Sequence, residues 1–264
     1  MKTYVAANGS SDDDERLAIV EVARRTFIAG ARHHDQLQCD HCHRSAAGQA
    51  GEAGGAYVKV DGREALLRSV ELFLNRELIK HIQLVVNPDD LEDAKARFGG
   101  HLSFAGVKLT AGGPKWFDQI VAGDAKTPAD TTHVIVHDAA RPAVPYSDID
   151  NLMEAATKKP VVALVSPVRS TLVEVDEGGN AIGYALASQY VQLLTPQIFS
   201  REKFKALVTS KVETHASEVT MVKGSPLNIR ISGSGDAALA KTMLGLLPKA
   251  KIKAPLSPFD EAQW

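Results

Sequence analysis

Predicted strands and helices alternate from Tyr57 to Val165, and this alternation constrains the fold more than any other feature of the sequence. Apolar runs of strand length are predicted at 57–60, 81–86, 107–110, 134–136 and 161–165. Helices are predicted over 65–74, 88–97 and 147–158. Because parallel strands need a crossover connection, usually a helix, this order indicates a doubly wound, mostly parallel α/β sheet.

A second feature interrupts this rhythm between residues 167 and 195. Two β-prone runs, Thr171–Val175 and Ala181–Leu186, flank a turn with two adjacent glycines at 178 and 179. Such a pattern predicts a β-hairpin. Because it comes late in an α/β domain, we expect it to project as an arm.

The N-terminal 44 residues have a different character and are predicted to form an atypical polar segment. Within it, apolar spacing over Leu17–Ile28 is compatible with a short helix. The remaining organisation is predicted as one domain over residues 45–250, which carries the arm, and a C-terminal tail at 251–264.

Cysteine and histidine cluster at Cys39–His43, in the order C-x-x-C-H. This order matches haem c attachment, which requires export, and His33 and His34 lie near enough to add zinc ligands. We favour a third interpretation, a polar loop with incidental Cys and His. Cys39 and Cys42 are the two cysteines of the chain and cannot form a disulfide framework for 264 residues.

Charge and hydropathy exclude several classes of partner. The formal net charge of −2 gives no global attraction to nucleic acid or anionic lipid, so any anionic ligand must be held by a local site. No apolar run approaches the ~18 residues that span a membrane. The N-terminus is acidic where a secretory signal has an apolar stretch, so we expect a cytoplasmic protein.

A candidate site follows the predicted strand at 134–136, in the string Val134–Pro142. Asp138 is able to bind a metal or a hydroxyl, and Arg141 is able to hold phosphate through two donors. Between them, Ala139 and Ala140 are small enough to let a ligand approach the backbone. Open α/β sheets bind ligands at the carboxyl ends of their strands. The alternative is a surface Asp–Arg pair at a strand end.

The whole string, HDAARP, resembles a motif of the 2-C-methyl-D-erythritol 4-phosphate cytidylyltransferase family. Further segments over roughly residues 45–245 resemble that family in the same order: Ser45–Gly51 its nucleotide loop, Tyr57–Leu67 the segment after the loop, Ala111–Gly113 a Gly-Gly turn, Pro167–Thr171 its "PVxDT", Leu194–Gln197 its "TPQ" and Asn228–Ile231 its "NIK". Several of these are weak alone, but their order argues against chance.

The resemblance implies a Rossmann-like sheet of the nucleotide-diphosphosugar-transferase type, a homodimer joined by the arm, and cytidylyl transfer from CTP to a polyol phosphate with Mg²⁺ or another divalent cation. Asp138 and Arg141 become the catalytic residues, with Asp138 as the metal ligand. The implied nucleotide-binding residues are Ala46, Ala47, Gly48, Gly51, Gly112, Gly113 and Ala139. The implied substrate-binding residues are Arg169, Thr171, Thr195 and Arg230.

The sequence departs from the family where cations are expected. The loop Arg and Lys fall on Glu52 and about Gly55, and the residues before the loop, 40–44, are polar where an apolar strand is expected. No Arg follows Gly113, although Lys115 is near, and the arm's Arg falls on about Ala187. The family's "TDxAS" becomes 214–217, THAS.

The sequence alone leaves several interpretations open. The chain is a divergent, weak enzyme, a silent nucleotide-binding paralogue, or a sequence whose first 55 residues are not in the native reading frame. The acceptor is either methylerythritol phosphate or, as in related enzymes, ribitol 5-phosphate, since both are polyol phosphates.

Overall fold

The computed structural model describes residues 17–22, 55–74 and 76–247, the first of these ranges as backbone only. Eleven strands are described: β1 Leu17–Val22, β2 Lys59–Val60, β3 Arg63–Glu64, β4 Ile79–Val86, β5 Lys108–Ala111, β6 His133–Asp138, β7 Val161–Pro167, β8 Leu172–Val175, β9 Ala181–Ala185, β10 Val191–Ser200 and β11 Thr220–Lys223. The α-helices are α1 Ala65–Leu74, α2 Leu91–Phe104, α3 Trp116–Asp124, α4 Tyr146–Ala156, α5 Arg201–Ser210 and α6 Ala237–Leu246.

Seven of these strands form the main sheet, in the order β11-β7-β10-β6-β1-β4-β5. All neighbours pair in parallel except β10, which runs antiparallel to both β6 and β7. The predicted doubly wound, mostly parallel sheet is confirmed. Its parallel strands therefore end at one common edge, to which β6 contributes Asp138.

Strand β1 corrects the prediction of a helix over Leu17–Ile28. Residues Leu17–Val22 pair in parallel with β4 on one side and with β6 on the other. A strand with neighbours on both sides satisfies its backbone groups there, and continuous runs rich in Val and Ile are typical of such positions. Short apolar runs do not distinguish strand from helix by spacing alone. Residues 23–28 lie outside the described part of the chain.

Residues 40–44, which are polar where the resemblance expects an apolar strand before the loop, lie outside the described part of the chain. The sheet already has a strand between β4 and β6, and this strand ends at Val22. The predicted division into a segment 1–44 and a domain 45–250 stays a prediction, although part of that N-terminal segment belongs to the sheet.

The other predicted elements are found with small shifts. Helix α1 has its predicted bounds, whereas α2 continues to Phe104, past the predicted end at Arg97. The predicted strand at 57–60 is shortened to Lys59–Val60 and follows a 3₁₀ turn at Gly55–Tyr57. Helix α2 places Ala94, Phe98 and Leu102 at a spacing of four residues, and all three are buried.

Two layers of apolar side chains cover the two faces of the sheet. Successive residues of β6 alternate between them, because strand side chains point to opposite faces. Ile135 packs in the layer beneath α1, α2 and α4. Val134 and Val136 pack in the layer beneath α3 and α5, which contains Phe199 and Phe204. This arrangement fixes the register of β6 and with it the position of Asp138.

The predicted arm is confirmed as a separate two-stranded sheet of β8 and β9. Its turn is closed by Asp176, whose backbone N–H donates to the carbonyl of Asn180 over 2.9 Å. The arm and the start of β10 expose large apolar side chains: Val173, Val175, Ile182, Tyr184, Leu186, Tyr190, Val191 and Leu193. Within the described residues, no helix is long and apolar enough to cross a membrane.

Candidate active site

The carboxyl end of β6 closes in a tight turn around Asp138. One carboxylate oxygen, Oδ1, accepts a hydrogen bond from the backbone N–H of Ala140 over 3.1 Å. The carbonyl of Asp138 accepts from the N–H of Arg141 over 2.8 Å. Ser69 of α1 donates to the carbonyl of Ala139 over 2.9 Å. These contacts hold the turn against α1.

The alanines of this turn have a packing role. Ala139 and Ala140 are fully buried within the apolar layer under α1, α2 and α4. Their small size is thus explained by the space between β6 and the neighbouring elements. The predicted contact of Ala139 with a nucleotide stays a prediction.

Two arginines neutralise Asp138. The Nε of Arg230 donates to Oδ2 over 2.7 Å, and the Nε of Arg141 lies 3.9 Å from the same atom. All three side chains are at most 16% exposed. Burial of a carboxylate requires such pairing, because an unpaired charge in this position is costly. Arg230, predicted to face an acceptor phosphate, is therefore paired with Asp138 in this structure.

Thr195 and Asn228 complete the cluster. Since β10 is antiparallel to β6, with Gln197 opposite Val136, Thr195 comes to lie opposite Asp138. Its Oγ1 accepts from the backbone N–H of Asp138 over 3.1 Å. Asn228 donates through Nδ2 to the carbonyl of Thr195 over 2.7 Å. The structure thus brings together four predicted site residues, Asp138, Arg141, Thr195 and Arg230.

Asn228 was not predicted as a site residue in its own right. It lies in the segment Asn228–Ile231, in which the basic residue, Arg230, is the predicted site residue. The available signal was a neutral amide two residues before Arg230, and its function becomes visible only through contacts with β10 and Arg141.

Other predicted residues lie apart from this cluster or outside the described part. Arg169 and Thr171 are exposed between β7 and β8, at the base of the arm. Ala46, Ala47, Gly48 and Gly51 lie outside the described residues, as do Glu52 and the Cys39–His43 group with His33 and His34.

The two glycines after β5 are required by packing. A side chain at Gly112 would place its Cβ 2.6 Å from Val85 Cγ1 and 2.8 Å from the Cα of Gln119. At Gly113 the Cβ would lie 2.5 Å from the Cβ of Asp118. This turn follows the carboxyl end of β5, so it lies at the same edge of the sheet as Asp138. Its predicted nucleotide contact is compatible with this location.

Gly55 occupies a position that excludes a side chain. Its Cβ would lie 1.9 Å from the carbonyl oxygen of Ile231, a separation that real Cβ atoms do not show. A lysine at this position is therefore incompatible with the present backbone. Two nearby cations are engaged elsewhere: Lys59 lies 3.9 Å from Glu64, and Arg63 forms an ion pair with Glu71. Lys115 is exposed after Gly113.

His137 is fully buried one residue before Asp138. Its Nε2 lies 3.1 Å from the carbonyl oxygen of Arg141, and its ring meets that of Phe73 edge to face. Because a carbonyl only accepts, Nε2 must carry the proton. Burial lowers the pKa of His137 to about 4. This geometry fits the predicted role of ordering the strand end.

Asp138 is the predicted metal ligand of this site. Across the described ranges, no group of three or more His, Cys, Asp or Glu side chains is placed to hold a metal. Asp138 is a single carboxylate whose oxygens already accept from Arg230 and Ala140. It suits an ion such as Mg²⁺, which takes most of its ligands from phosphates and water.

A cavity of about 230 Å³ lies at the opposite edge of the sheet. It is lined by His133 at the amino end of β6, by Leu78 just before β4, and by Met153 with other residues at the end of α4. It is therefore separate from the Asp138 cluster.

Comparison with known proteins identifies the class as nucleotidyltransferase. The model of the family described as "2-C-methyl-D-erythritol 4-phosphate cytidylyltransferase" matches residues 45–245. The chain belongs to this family. The matched range begins after β1.

Relatives and solved structures agree with this assignment. The 2-C-methyl-D-erythritol 4-phosphate cytidylyltransferase of Escherichia coli O7:K1 is 28% identical over 203 residues, which cover 71% of this chain and 84% of the relative. The 4-diphosphocytidyl-2C-methyl-D-erythritol synthase of Anaerococcus prevotii superposes with a TM-score of 0.66 at 18% identity, covering 88% of this chain and 97% of that one. The cytidylyltransferase of Thermus thermophilus gives a TM-score of 0.58 at 21% identity, covering 73% of this chain and 94% of that one. At such identities the structural likeness supports the fold.

His137 predicts a pH dependence of stability. Its pKa is about 4 in the folded state against 6.5 as the ordinary value, so the unfolded chain takes up a proton first as the pH falls. Above pH 6.5 the neutral His137 makes its full contribution to the free energy of unfolding. As the pH falls from 6.5 to about 4, this contribution, about 3 kcal/mol, is lost. His137→Gln keeps a side-chain donor and does not titrate.

Chemical denaturation at several pH values measures this effect. The free energy of unfolding of the unaltered protein should fall more steeply with acid than that of His137→Gln. The variant His215→Gln, which removes an exposed histidine, serves as control. Parallel curves for the unaltered protein and His137→Gln would contradict the prediction.

Proposed function

We propose that this chain transfers the cytidylyl group of CTP to 2-C-methyl-D-erythritol 4-phosphate, giving CDP-methylerythritol and pyrophosphate in isoprenoid precursor biosynthesis. Membership of the family supports this activity. The observation that carries it is the cluster at the carboxyl edge of the sheet, in which the buried Asp138 contacts the partly buried Arg141, Thr195 and Arg230. We further propose a cytoplasmic homodimer.

The reaction needs positioning and charge neutralisation more than proton transfer. An oxygen of the acceptor phosphate forms a bond to the α-phosphorus of CTP. The bond from that phosphorus to the β-phosphate oxygen breaks, and its electron pair leaves with pyrophosphate. We assign Arg141 to the phosphates of CTP, because its guanidinium is held at the strand edge by the carbonyl of residue 228. Ala46–Gly48, Gly51 and the Gly112–Gly113 turn are proposed to line the nucleotide.

Arg230 is proposed to serve the acceptor phosphate together with Arg169, Thr171 and Thr195. Arg230 is paired with Asp138, and this pairing holds its guanidinium at the same edge of the sheet as Arg141. Arg169 and Thr171 lie at the base of the arm, which suits a contribution to the site of a second copy.

A divalent cation, Mg²⁺ by preference, is proposed to accompany CTP. Asp138 is the residue that would hold it, with the remaining ligands from phosphate and water. When bound, such an ion neutralises charge on the phosphates. Asp138 is paired with Arg230 in this structure, so a cation would bind a carboxylate that also has an arginine partner.

A weak or silent paralogue is the second candidate, and Gly55 favours it. The family's loop lysine falls at about this position, where contact with Ile231 leaves no room for a side chain. Glu52 in turn falls on the family's loop arginine. The cations that stabilise departing pyrophosphate are thus reduced in this chain.

Nucleotide binding tests the proposal directly. Calorimetry should detect CTP–Mg²⁺ binding and a preference over ATP–Mg²⁺, and Arg141→Ala should weaken CTP binding by about 1.5–3 kcal/mol, as expected for a lost charge-assisted hydrogen bond. Arg201→Ala is the matched control, because Arg201 is equally buried and is paired with Asp124 at the amino end of β6. Equal affinity for CTP and ATP would refute the cytidylyl assignment.

The exposed arm predicts a dimer at micromolar concentration. Its apolar side chains include Tyr184 at 81% and Ile182 at 65% exposure, and a second copy would remove them from water. Sedimentation velocity should show a dimer that Ile182→Asp dissociates. Phe104→Asp, which changes an exposed aromatic at the end of α2, should leave the dimer intact. A monomeric unaltered protein would contradict this arrangement.

Turnover is predicted to be slow. Each fixed cation near departing pyrophosphate supplies about 3–4 kcal/mol by analogy with other preorganised donors, so two missing groups reduce the rate by about 10⁴-fold or more. Pyrophosphate release from CTP and methylerythritol phosphate measures it. If the gene around residues 1–55 encodes, in another frame, an apolar strand followed by a Gly-rich loop with Arg and Lys, that frame-corrected chain is the comparison.

The activities of these two chains distinguish a defect of the N-terminal sequence from a silent paralogue. Recovery of activity in the second chain places the defect in the N-terminal sequence. Family-like activity of the present chain would refute the charge argument, and inactivity of both would favour the silent paralogue.

A further inference from the structure

We propose that Asn228 is a positioning residue, which fixes Arg141 and Thr195 relative to Asp138. This inference rests on the proposed function, because its consequence for the reaction depends on Arg141 contacting CTP. Asn228 itself is assigned no contact with substrate.

Asn228 contacts two residues of the cluster from different parts of the chain. It is 3% exposed. Its backbone carbonyl accepts from Nη1 of Arg141 over 2.9 Å. Its side-chain Nδ2 donates to the carbonyl of Thr195 over 2.7 Å. One residue therefore sets the distance between the turn after β6 and the middle of β10.

The segment around Asn228 is tied down on both sides. The N–H of Gly224 donates to the carbonyl of Val165 over 2.8 Å, and the N–H of Ser225 donates to Oδ2 of Asp148 over 2.6 Å. Further along, the N–H of Ile231 donates to the carbonyl of Ala140 over 2.9 Å. Between these anchors, the amide of Asn228 is the side chain that ties the segment to β10.

The chemistry of the contact requires an amide. The carbonyl of Thr195 needs a donor, so a carboxylate of the same shape would place two acceptors together. An alanine would leave this partly buried carbonyl without its donor. Either change should let residue 228 shift, and with it the acceptor that orients the guanidinium of Arg141. Thr195 is coupled to Asp138 through its own hydroxyl, so the disturbance extends to the carboxylate.

A double-mutant cycle tests this route. Asn228→Ala should weaken CTP binding by about tenfold in the unaltered protein, on the scale of one hydrogen bond between neutral groups, because the bond that is lost joins the Asn228 amide to the carbonyl of Thr195. In the Arg141→Ala background the same change should cost less than about twofold, because contacting residues couple. Asn228→Asp, which keeps the shape, should behave like Asn228→Ala. Asn151→Ala, on the exposed face of α4, is the matched control.

A second measurement is independent of CTP. In protein with isotope-labelled arginine, the guanidinium N–H signals of Arg141, assigned from Arg141→Lys, should show hindered rotation. Asn228→Ala and Asn228→Asp should release that rotation, while melting temperature monitors folding. Additive losses in the cycle, or an unchanged Arg141 signal in both variants, would overturn the proposal. If the unaltered protein binds no CTP, the proposed function fails, and the Arg141 signal alone decides the role of Asn228.

Discussion

The buried carboxylate of Asp138 is the interaction on which the site depends. Its two oxygens accept from Arg230 and from the backbone of Ala140, and Arg141 lies 3.9 Å away. Residues separated by about ninety positions thus meet at one strand end. A buried charge is costly when it is unpaired. Removal of Asp138 or of Arg230 would therefore leave the other charge without its partner. The same pairing provides cations where a nucleotide phosphate is proposed to bind.

Strand β1 supports this site indirectly. It lies between β4 and β6 and gives β6 a parallel neighbour along its whole length, as far as Asp138. The register of β6 is set in addition by the alternation of Ile135 with Val134 and Val136 between the two apolar layers. A slip of one residue would exchange these faces, so the position of Asp138 is fixed by packing as well as by hydrogen bonds.

Packing also explains several small residues around the site. Gly55, Gly112 and Ala140 each occupy space that a larger side chain would have to share with neighbouring backbone or core atoms. These small residues would be kept for the fold alone. Arg141 and Arg230 each have partners within the cluster, so their presence serves the buried Asp138 whether or not turnover is fast.

The sequence by itself determined the alternation of strands and helices, the arm and the ordered motifs, because periodicity and turn residues are local signals. It also indicated Asp138 and Arg141, since the string HDAARP is contiguous. Only the tertiary structure decided that Leu17–Val22 is a strand, because its ladder partners, β4 and β6, lie far along the chain. The pairing of Arg230 with Asp138 and the contacts of Asn228 were likewise decided by folding, since each joins residues brought together by the antiparallel return of β10 and the segment after β11.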